Sequence, residues 1–352
     1  MKRLLAMILL LAMLTGCSSN SYLSVRPHAG PRTEVTDTIT VENYTQLRNA
    51  LVQQIDLHAT QISLMTYAYT GDVQQDLEEA VAYIRYHYPI GAYAIRTLTY
   101  DISQVASYYQ ISLRVSYSHS SWELEQISQV SMDNLESLIG EAMNESVNQQ
   151  IIMISAYRNT DFSAYCTDYA LRNPDKVMQV PEITTRIWPE NGSVRIVELN
   201  YDYTLSSYEL QQMQAEVEQI LDAAKVYVGY GRTAREKVDL LHSFLSERYI
   251  YMQSSTDTPA YSMLCEGVAD SKIYAEVFRI VCEKAGLECY AVNGLKNGQV
   301  YKWNIVCLEG AYYHIDPFAA EVQGLGQLPL YQDDEMINYI WDQTIYPAAV
   351  SR

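Results

Sequence analysis

The stretch from position 265 to position 316 most constrains the fold, because it predicts a helix, a β-hairpin and a further strand in immediate succession. Apolar residues at Ile273, Val277 and Ile280 recur with helical spacing, and Gly286 follows as a stop signal. The stretch therefore predicts one helix packed against an antiparallel sheet.

Three strands are predicted after this helix, over residues 287–292, 299–308 and 311–315. A turn at 294–298 joins the first two, and its Asn-Gly pair is typical of hairpins. Side chains alternate along a strand, so Tyr301, Trp303 and Ile305 are predicted to share one face of the sheet.

Three short polar motifs occupy this framework: Cys265-Glu266-Gly267-Val268-Ala269, Tyr301-Lys302-Trp303-Asn304 and Tyr312-Tyr313-His314-Ile315-Asp316-Pro317. In this order they resemble the core of the transglutaminase-like (papain-type cysteine hydrolase) superfamily. The family pattern is roughly Gly-Val-Cys-x-Gly-x-Ala, His-x-Trp-Asn and Trp-Tyr-x-x-Asp-Pro-Thr. The resemblance covers about a third of the chain, from Ser206 to Asp316. It implies an α+β fold with a transglutaminase-like (papain-like) carboxy-terminal core.

The same resemblance implies a catalytic role for Cys265 as the nucleophile. The residue precedes the predicted helix, so we expect it at the helix N-terminus, where unpaired N–H groups and the helix dipole favour thiolate over thiol. The alternative is a buried cysteine that packs as a small hydrophobic residue.

The resemblance implies a catalytic triad of Cys, His and Asp. The Asp position matches at Asp316, but Tyr301 stands where the family has histidine. A phenol has a reference pKa of about 10, so it is a poor base at neutral pH. Asp316 would then accept at best a hydrogen bond from Tyr301. His314 lies on the same predicted strand face as Asp316 and is an alternative base.

Four further residues are predicted to bind substrate, on the basis of the resemblance alone: Gly267, Trp303, Asn304 and Tyr251. The family positions two before the nucleophile and after Asp-Pro also differ, being Met263 and Phe318 here. These departures favour a degenerate site.

The amino terminus predicts export. Lys2 and Arg3 precede an apolar run over 4–14, which is too short to span a membrane and fits a secretory signal. The Leu-Thr-Gly-Cys17 sequence that follows resembles the bacterial lipoprotein cleavage box. This resemblance implies lipidation of Cys17 and an extracytoplasmic protein, lipid-anchored to a bacterial membrane.

An internal duplication is predicted between tether and core, because the segment beginning Ser120-Ser-Trp122-Glu-Leu recurs as Ser206-Ser-Tyr208-Glu-Leu. Each copy is predicted as helix, strand, helix and two strands. The elements are 43–57, 61–67, 73–86, 94–101 and 110–118 in the first copy, and 133–144, 149–156, 161–173, 182–188 and 194–203 in the second.

The sequence thus predicts five segments. They are a signal peptide over 1–16, lipidated Cys17 with a flexible tether over 17–40, two tandem αβαββ modules over 41–128 and 129–205, and the transglutaminase-like domain over 206–345.

Composition limits the partners. The net charge of −18 disfavours nucleic acid and anionic lipid headgroups. No Cys-x-x-Cys pair or His cluster indicates a metal site, and no cofactor is predicted.

Cys282, Cys289 and Cys307 lie close enough in sequence for one disulfide, whose pairing the spacing leaves open. The oligomeric state is also left open.

Three functions follow. The first is a membrane-anchored lipoprotein whose transglutaminase-like domain is catalytically degenerate and binds peptide or cell-wall ligands. The second is an active thiol peptidase, amidase or transglutaminase that acts on peptide amides through a Cys265 thioester. The third is an envelope structural protein in which the tandem modules supply the whole function.

Overall fold

The structure, a computed structural model, describes residues 38–248 and 256–350. The predicted signal peptide, Cys17, nearly all of the tether, and Tyr251 lie outside the described residues. No helix within the described ranges combines the length and apolar character needed to cross a bilayer.

The amino-terminal unit is a four-stranded sheet covered by helices. Its elements are β1 (Ile39–Thr40), α1 (Tyr44–Asp56), β2 (Gln61–Thr66), α2 (Val73–Tyr86), α3 (Pro89–Ala94), β3 (Ile95–Val105), β4 (Tyr108–Tyr117) and α4 (Ser121–Glu125). The strand order is β1-β2-β4-β3, with β1 parallel to β2 and the other pairs antiparallel. Leu64 and Leu113 face the helices, and Leu77 of α2 packs in the same cluster.

The middle unit has a sheet of the same pairing pattern. Its elements are β5 (Ser128–Ser131), α5 (Leu135–Asn144), β6 (Gln149–Ser155), α6 (Phe162–Arg172), β7 (Glu182–Trp188) and β8 (Arg195–Asp202). The order is β5-β6-β8-β7, again with the first pair parallel and the others antiparallel. Ile152 and Val197 pack under α5 and α6. Ile196, on the opposite face of β8, joins the core of the amino-terminal unit.

The carboxy-terminal unit packs helices on an antiparallel sheet. Its elements are α7 (Ser207–Val228), α8 (Ala234–Ser246), α9 (Ser271–Lys284), β9 (Cys289–Lys296), β10 (Gln299–Leu308), β11 (Ala311–Ile315), α10 (Pro317–Val322) and β12 (Tyr339–Trp341). The strand order is β11-β10-β9-β12. Helix α9 covers one face of the sheet, with Phe278 and Val281 in its core.

The α+β prediction is confirmed, since helices and mixed sheets alternate through the described chain. Two predicted boundaries in the carboxy-terminal unit are wrong, and one of them is the strand predicted over 287–292, which is observed at Cys289–Lys296. The helix expected to begin at Cys265 begins at Ser271, because Asp270 caps it by accepting hydrogen bonds from the backbone N–H groups of Lys272 and Ile273. Cys265 lies earlier, in the separate helical turn Ser262–Glu266.

The five described cysteines are free thiols. Cys289 pairs with Val306 in the β9–β10 register and packs under α9, so its side chain and that of Cys307 point to opposite faces. A Cys289–Cys307 disulfide is therefore excluded. The thiols of Cys282 and Cys289 instead contact each other beneath α9.

Candidate functional site

The carboxylate of Asp316 is the centre of the candidate site. The residue directly follows β11 and caps α10, where its Oδ1 accepts a hydrogen bond from the backbone N–H of Ala319 at 2.9 Å. Oδ1 also accepts one from the hydroxyl of Tyr301 at 3.0 Å. Oδ2 accepts hydrogen bonds from the Lys296 ammonium and the Tyr339 hydroxyl, both at 2.7 Å. A carboxylate has about four acceptor positions, so these four donors occupy all of them.

Strand pairing brings these side chains together. Lys296 ends β9, Tyr301 lies near the start of β10 across the hairpin, and Tyr339 pairs with Lys296 from β12. The Lys296 ammonium lies 4.6 Å from the ring centroid of Tyr301 and 5.0 Å from that of Tyr339. Asp316 is 5% exposed, so its charge is balanced by Lys296 within a largely buried aromatic setting.

The pKa of Tyr339 is raised far above its ordinary value, first by burial and then by the charge and hydrogen bond of Asp316. Its hydroxyl therefore remains a donor. A phenol that already donates to a carboxylate cannot at the same time accept a proton as a catalytic base.

Tyr301 belongs to the face of the sheet opposite α9. Its neighbours Lys302 and Asn304 face α9 instead, through a 2.6 Å contact to Glu276 and a 2.9 Å hydrogen bond to the carbonyl of Ala275. Because side chains alternate, Tyr301 and Trp303 point to the other side, as predicted. Because Tyr301 lies near the start of β10, its ring also packs against the edge of the hydrophobic core under α9.

His314 is buried and both of its ring nitrogens are engaged. The indole N–H of Trp303 donates to Nδ1 at 2.8 Å, and since an indole is only a donor, Nε2 carries the proton that goes to Asp333 at 2.8 Å. Burial lowers the pKa of His314 despite the opposing effect of Asp333. This imidazole is a neutral structural link between β11 and the segment after α10.

Cys265 is exposed, in a turn that Gly267 closes at a φ of +75°. Partial burial of the sulfur, followed by the negative charges of Glu216 and Glu266, raises the pKa of Cys265 to about 11. The N-cap of α9 is Asp270, so Cys265 does not occupy the helix N-terminus that the sequence predicts for it.

Of the residues that the resemblance predicts to bind substrate, Gly267, Trp303 and Asn304 lie within the described ranges. Gly267 adopts a left-handed conformation that glycine favours, which explains its place at the end of the turn. Trp303 and Asn304 are each 0% exposed and join β10 to His314 and to α9, and substrate binding by these two residues stays a prediction. Tyr251 lies outside the described residues.

The sequence did not identify Lys296 or Tyr339 as site residues. Lys296 directly precedes the Asn-Gly turn and pairs with Gln299, two residues before Tyr301, which is a signal for its proximity to Tyr301. Tyr339 lies in a strand of three residues, too short to show a pattern.

Within 38–248 and 256–350, no group of three or more His, Cys, Asp or Glu side chains is arranged to hold a metal ion. The site as described consists of one carboxylate, one ammonium and two phenols. Such a set can bind by charge and hydrogen bonding, and the raised pKa of Tyr339 keeps that phenol protonated.

No family model and no curated protein matches this sequence. Among solved structures, the chain is similar to a TGase at 10% identity and a TM-score of 0.26, over 48% of this chain and 51% of that one. It is also similar to a putative protease from Parabacteroides distasonis at 8% identity and a TM-score of 0.23, over 72% of this chain and 39% of that one. The chain thus spans about half the length of the first protein and less of the second, and values this low carry no conclusion about function.

Proposed function

We propose that the carboxy-terminal unit is a transglutaminase-like domain that has lost thiol-hydrolase chemistry and serves to bind peptide or cell-wall ligands. The observation that carries this proposal is the state of Asp316, whose acceptor positions are filled by Tyr301, Lys296, Tyr339 and a backbone N–H. In a working triad this carboxylate would orient an imidazole.

The thiol supports the same proposal. With a raised pKa, Cys265 is almost entirely protonated at neutral pH, and a thiol is a much weaker nucleophile than a thiolate. His314, the alternative base, is buried between Trp303 and Asp333. Without a reactive thiol and a base, the carboxy-terminal unit would function by binding its ligand.

The proposal extends to the whole chain. The amino-terminal and middle units are tandem copies of one module, supported by their common strand order and by the repeated sequence motif. Export and lipidation at Cys17 are supported by the basic start, the apolar run and the cleavage box. The modules would hold the carboxy-terminal unit away from the membrane surface.

Turnover of peptide amides tests the loss of chemistry. Hydrolysis and amine incorporation would be measured by mass spectrometry on a peptide library containing glutamine, with Cys265→Ser as the matched control. We expect the native chain and this variant to be indistinguishable. Turnover by the native chain that Cys265→Ser abolishes would establish the active thiol enzyme instead.

Calorimetric titration with cell-wall stem peptides tests the binding role, with Lys296→Met as the variant. We expect binding by the native chain and weaker binding by Lys296→Met, since this ammonium is the cationic group of the site. An absence of binding to all stem peptides would contradict this part of the proposal.

Anchoring is tested separately by palmitate labelling and membrane fractionation of the full chain. We expect label and membrane association in the native chain, and neither in Cys17→Ala. Equal membrane association of both would show that another segment attaches the protein.

A further inference from the structure

A second concave site lies between the amino-terminal and middle units. Its volume is about 520 Å³, and it is open to solvent. One wall is formed by Tyr83, His87 and Tyr88 at the end of α2, and the other by Met153 of β6 and the loop 191–194. Cavities of this size at a boundary between folded units, with mostly apolar walls, are where small ligands commonly bind.

Three aromatic rings on the first wall have similar orientations. The ring centroids of Tyr83 and His87 are 6.3 Å apart at 30°, and those of Tyr83 and Tyr88 are 6.4 Å apart at 33°. The Tyr88 hydroxyl is hydrogen-bonded to Asp56 of α1, which holds that ring in place. The rings therefore form a fixed aromatic wall.

The polar side chains of the cavity are imidazole, phenol, amide and hydroxyl groups. Among the described lining residues there is no Asp, Glu, Lys or Arg, although the chain contains 42 acidic and 24 basic residues. The side chains of His87, Asn191 and Ser193 make none of the hydrogen bonds found within the described ranges. Gly192 between the last two has a φ of +122°, which allows the loop to turn there.

We propose that this cavity binds a neutral saccharide. A pyranose ring has an apolar C–H face that packs on aromatic rings, and hydroxyl groups at its rim that bond to amide and hydroxyl side chains. Neither Lys nor Arg is among the described lining residues, and the nearby Arg48 guanidinium lies over the ring of Tyr83, 5.2 Å from its centroid, so the lining favours a neutral ligand over a phosphate or carboxylate. This inference does not depend on the function proposed for the carboxy-terminal unit, because the Asp316 site and this cavity are formed by different elements.

Titration of the full mature chain with three neutral tetrasaccharides tests the proposal: an N-acetylglucosamine tetramer, cellotetraose and maltotetraose. We expect at least one to bind, with affinity lowered about tenfold or more by Tyr83→Ala through loss of the stacking surface. Tyr86→Ala is the matched control, because Tyr86 lies on the same helix, is 61% exposed and does not line the cavity. We expect this control to bind as the native chain does.

Because Tyr83 also packs against the core, the loop variant Asn191→Ala provides a test that leaves the core intact. We expect about a fivefold loss of affinity from the missing amide hydrogen bonds. The proposal is overturned if none of the three saccharides binds at millimolar concentration, or if Tyr83→Ala and Asn191→Ala both bind the saccharide normally. Binding of a proline-rich decapeptide in the cavity, with no saccharide bound, would also overturn it.

Discussion

At the level of single residues, the carboxylate of Asp316 combines structural and chemical roles. It caps α10 and also neutralises Lys296 and fixes two tyrosine hydroxyls. Each donor compensates part of the cost of burying the charge, and together they leave no acceptor position for an imidazole. A group so fully bonded stabilises the junction of β11 and α10.

Replacement of this carboxylate by an amide should be strongly destabilising. In Asp316→Asn the amide lacks the charge that Lys296 requires and one of the acceptor oxygens, so we expect a loss of about 3 kcal/mol in the free energy of unfolding. Urea denaturation followed by circular dichroism measures this loss. Asp342→Asn is the control, since Asp342 is exposed and bonds only locally to Thr344. Equal stability of the two variants would contradict the role given to Asp316.

The thiol of Cys265 should become more reactive when a neighbouring charge is removed. Glu216 raises the pKa of Cys265, so Glu216→Gln should lower that pKa and increase the thiolate fraction. A shift of about half a unit would give a roughly threefold faster alkylation at mildly alkaline pH. The rate of iodoacetamide modification against pH measures it, with Glu218→Gln on the same helix as control. An unchanged profile in Glu216→Gln would show that this carboxylate does not act on the thiol.

His314 should make stability depend on pH in mildly acidic solution. Its pKa in the folded state lies below the unfolded value of about 6.5, so the unfolded chain binds more protons in the window just below that value. Stability therefore falls as the pH drops through this window, by at most about 1.4 kcal/mol per pH unit. His314→Gln should flatten that fall in urea denaturation series, whereas His87→Gln, at an exposed position, should not. A slope that persists in His314→Gln would assign the effect to other groups.

At the level of secondary-structure elements, the start of α9 determines where the candidate nucleophile lies. Asp270 accepts hydrogen bonds from the N–H groups of Lys272 and Ile273, and Gly267 separates this helix from the turn that holds Cys265. The sequence motif alone does not distinguish a cysteine in the first helical turn from one in a preceding turn.

Removal of this cap should destabilise the carboxy-terminal unit. We expect Asp270→Ala to lower the free energy of unfolding by about 1 kcal/mol, because two N–H groups lose their acceptor. Asp270→Asn keeps an acceptor oxygen and should recover most of that loss. Thermal unfolding of the two variants measures the difference. Equal losses in both would indicate that the charge, rather than the hydrogen bonds, stabilises the helix start.

Long elements were predictable because their apolar spacing is sustained. The structure reproduces the predicted bounds of α2, β7, β10 and β11, where burial on one face fixes the pattern. The strands β1 and β5 were missed since they have two and four residues, too few to show alternation, and they form only by pairing with β2 and β6. The sequence anticipated the bond from Tyr301 to Asp316. It could not anticipate Tyr339, which reaches the site only because β12 pairs with β9.

At the level of the whole molecule, the described units contact each other through packed side chains and hydrogen bonds. Both faces of the middle sheet are covered, since Val197 packs under its own helices and Ile196 packs into the amino-terminal core. On the other side, the guanidinium of Arg279 in α9 donates to the carbonyl of Arg172 in α6 at 2.7 Å. Local unfolding of one unit should therefore increase local unfolding of the unit packed against it.

Two adjacent residues of β8 allow this coupling to be tested, because their side chains lie on opposite faces of one sheet. Ile196→Ala leaves a cavity at the boundary between the first two units, and Val197→Ala leaves one inside the middle unit, so we expect Ile196→Ala to cost about 2 to 4 kcal/mol and Val197→Ala somewhat less. Hydrogen exchange with mass spectrometry locates each effect. Ile196→Ala should raise exchange in α3, which contacts β8, as well as in β8 itself. Val197→Ala should raise it in α5 and α6 but not in α3. Unchanged exchange of α3 in Ile196→Ala would show that the two units fold independently, because the packing of Ile196 would then contribute nothing to its neighbour.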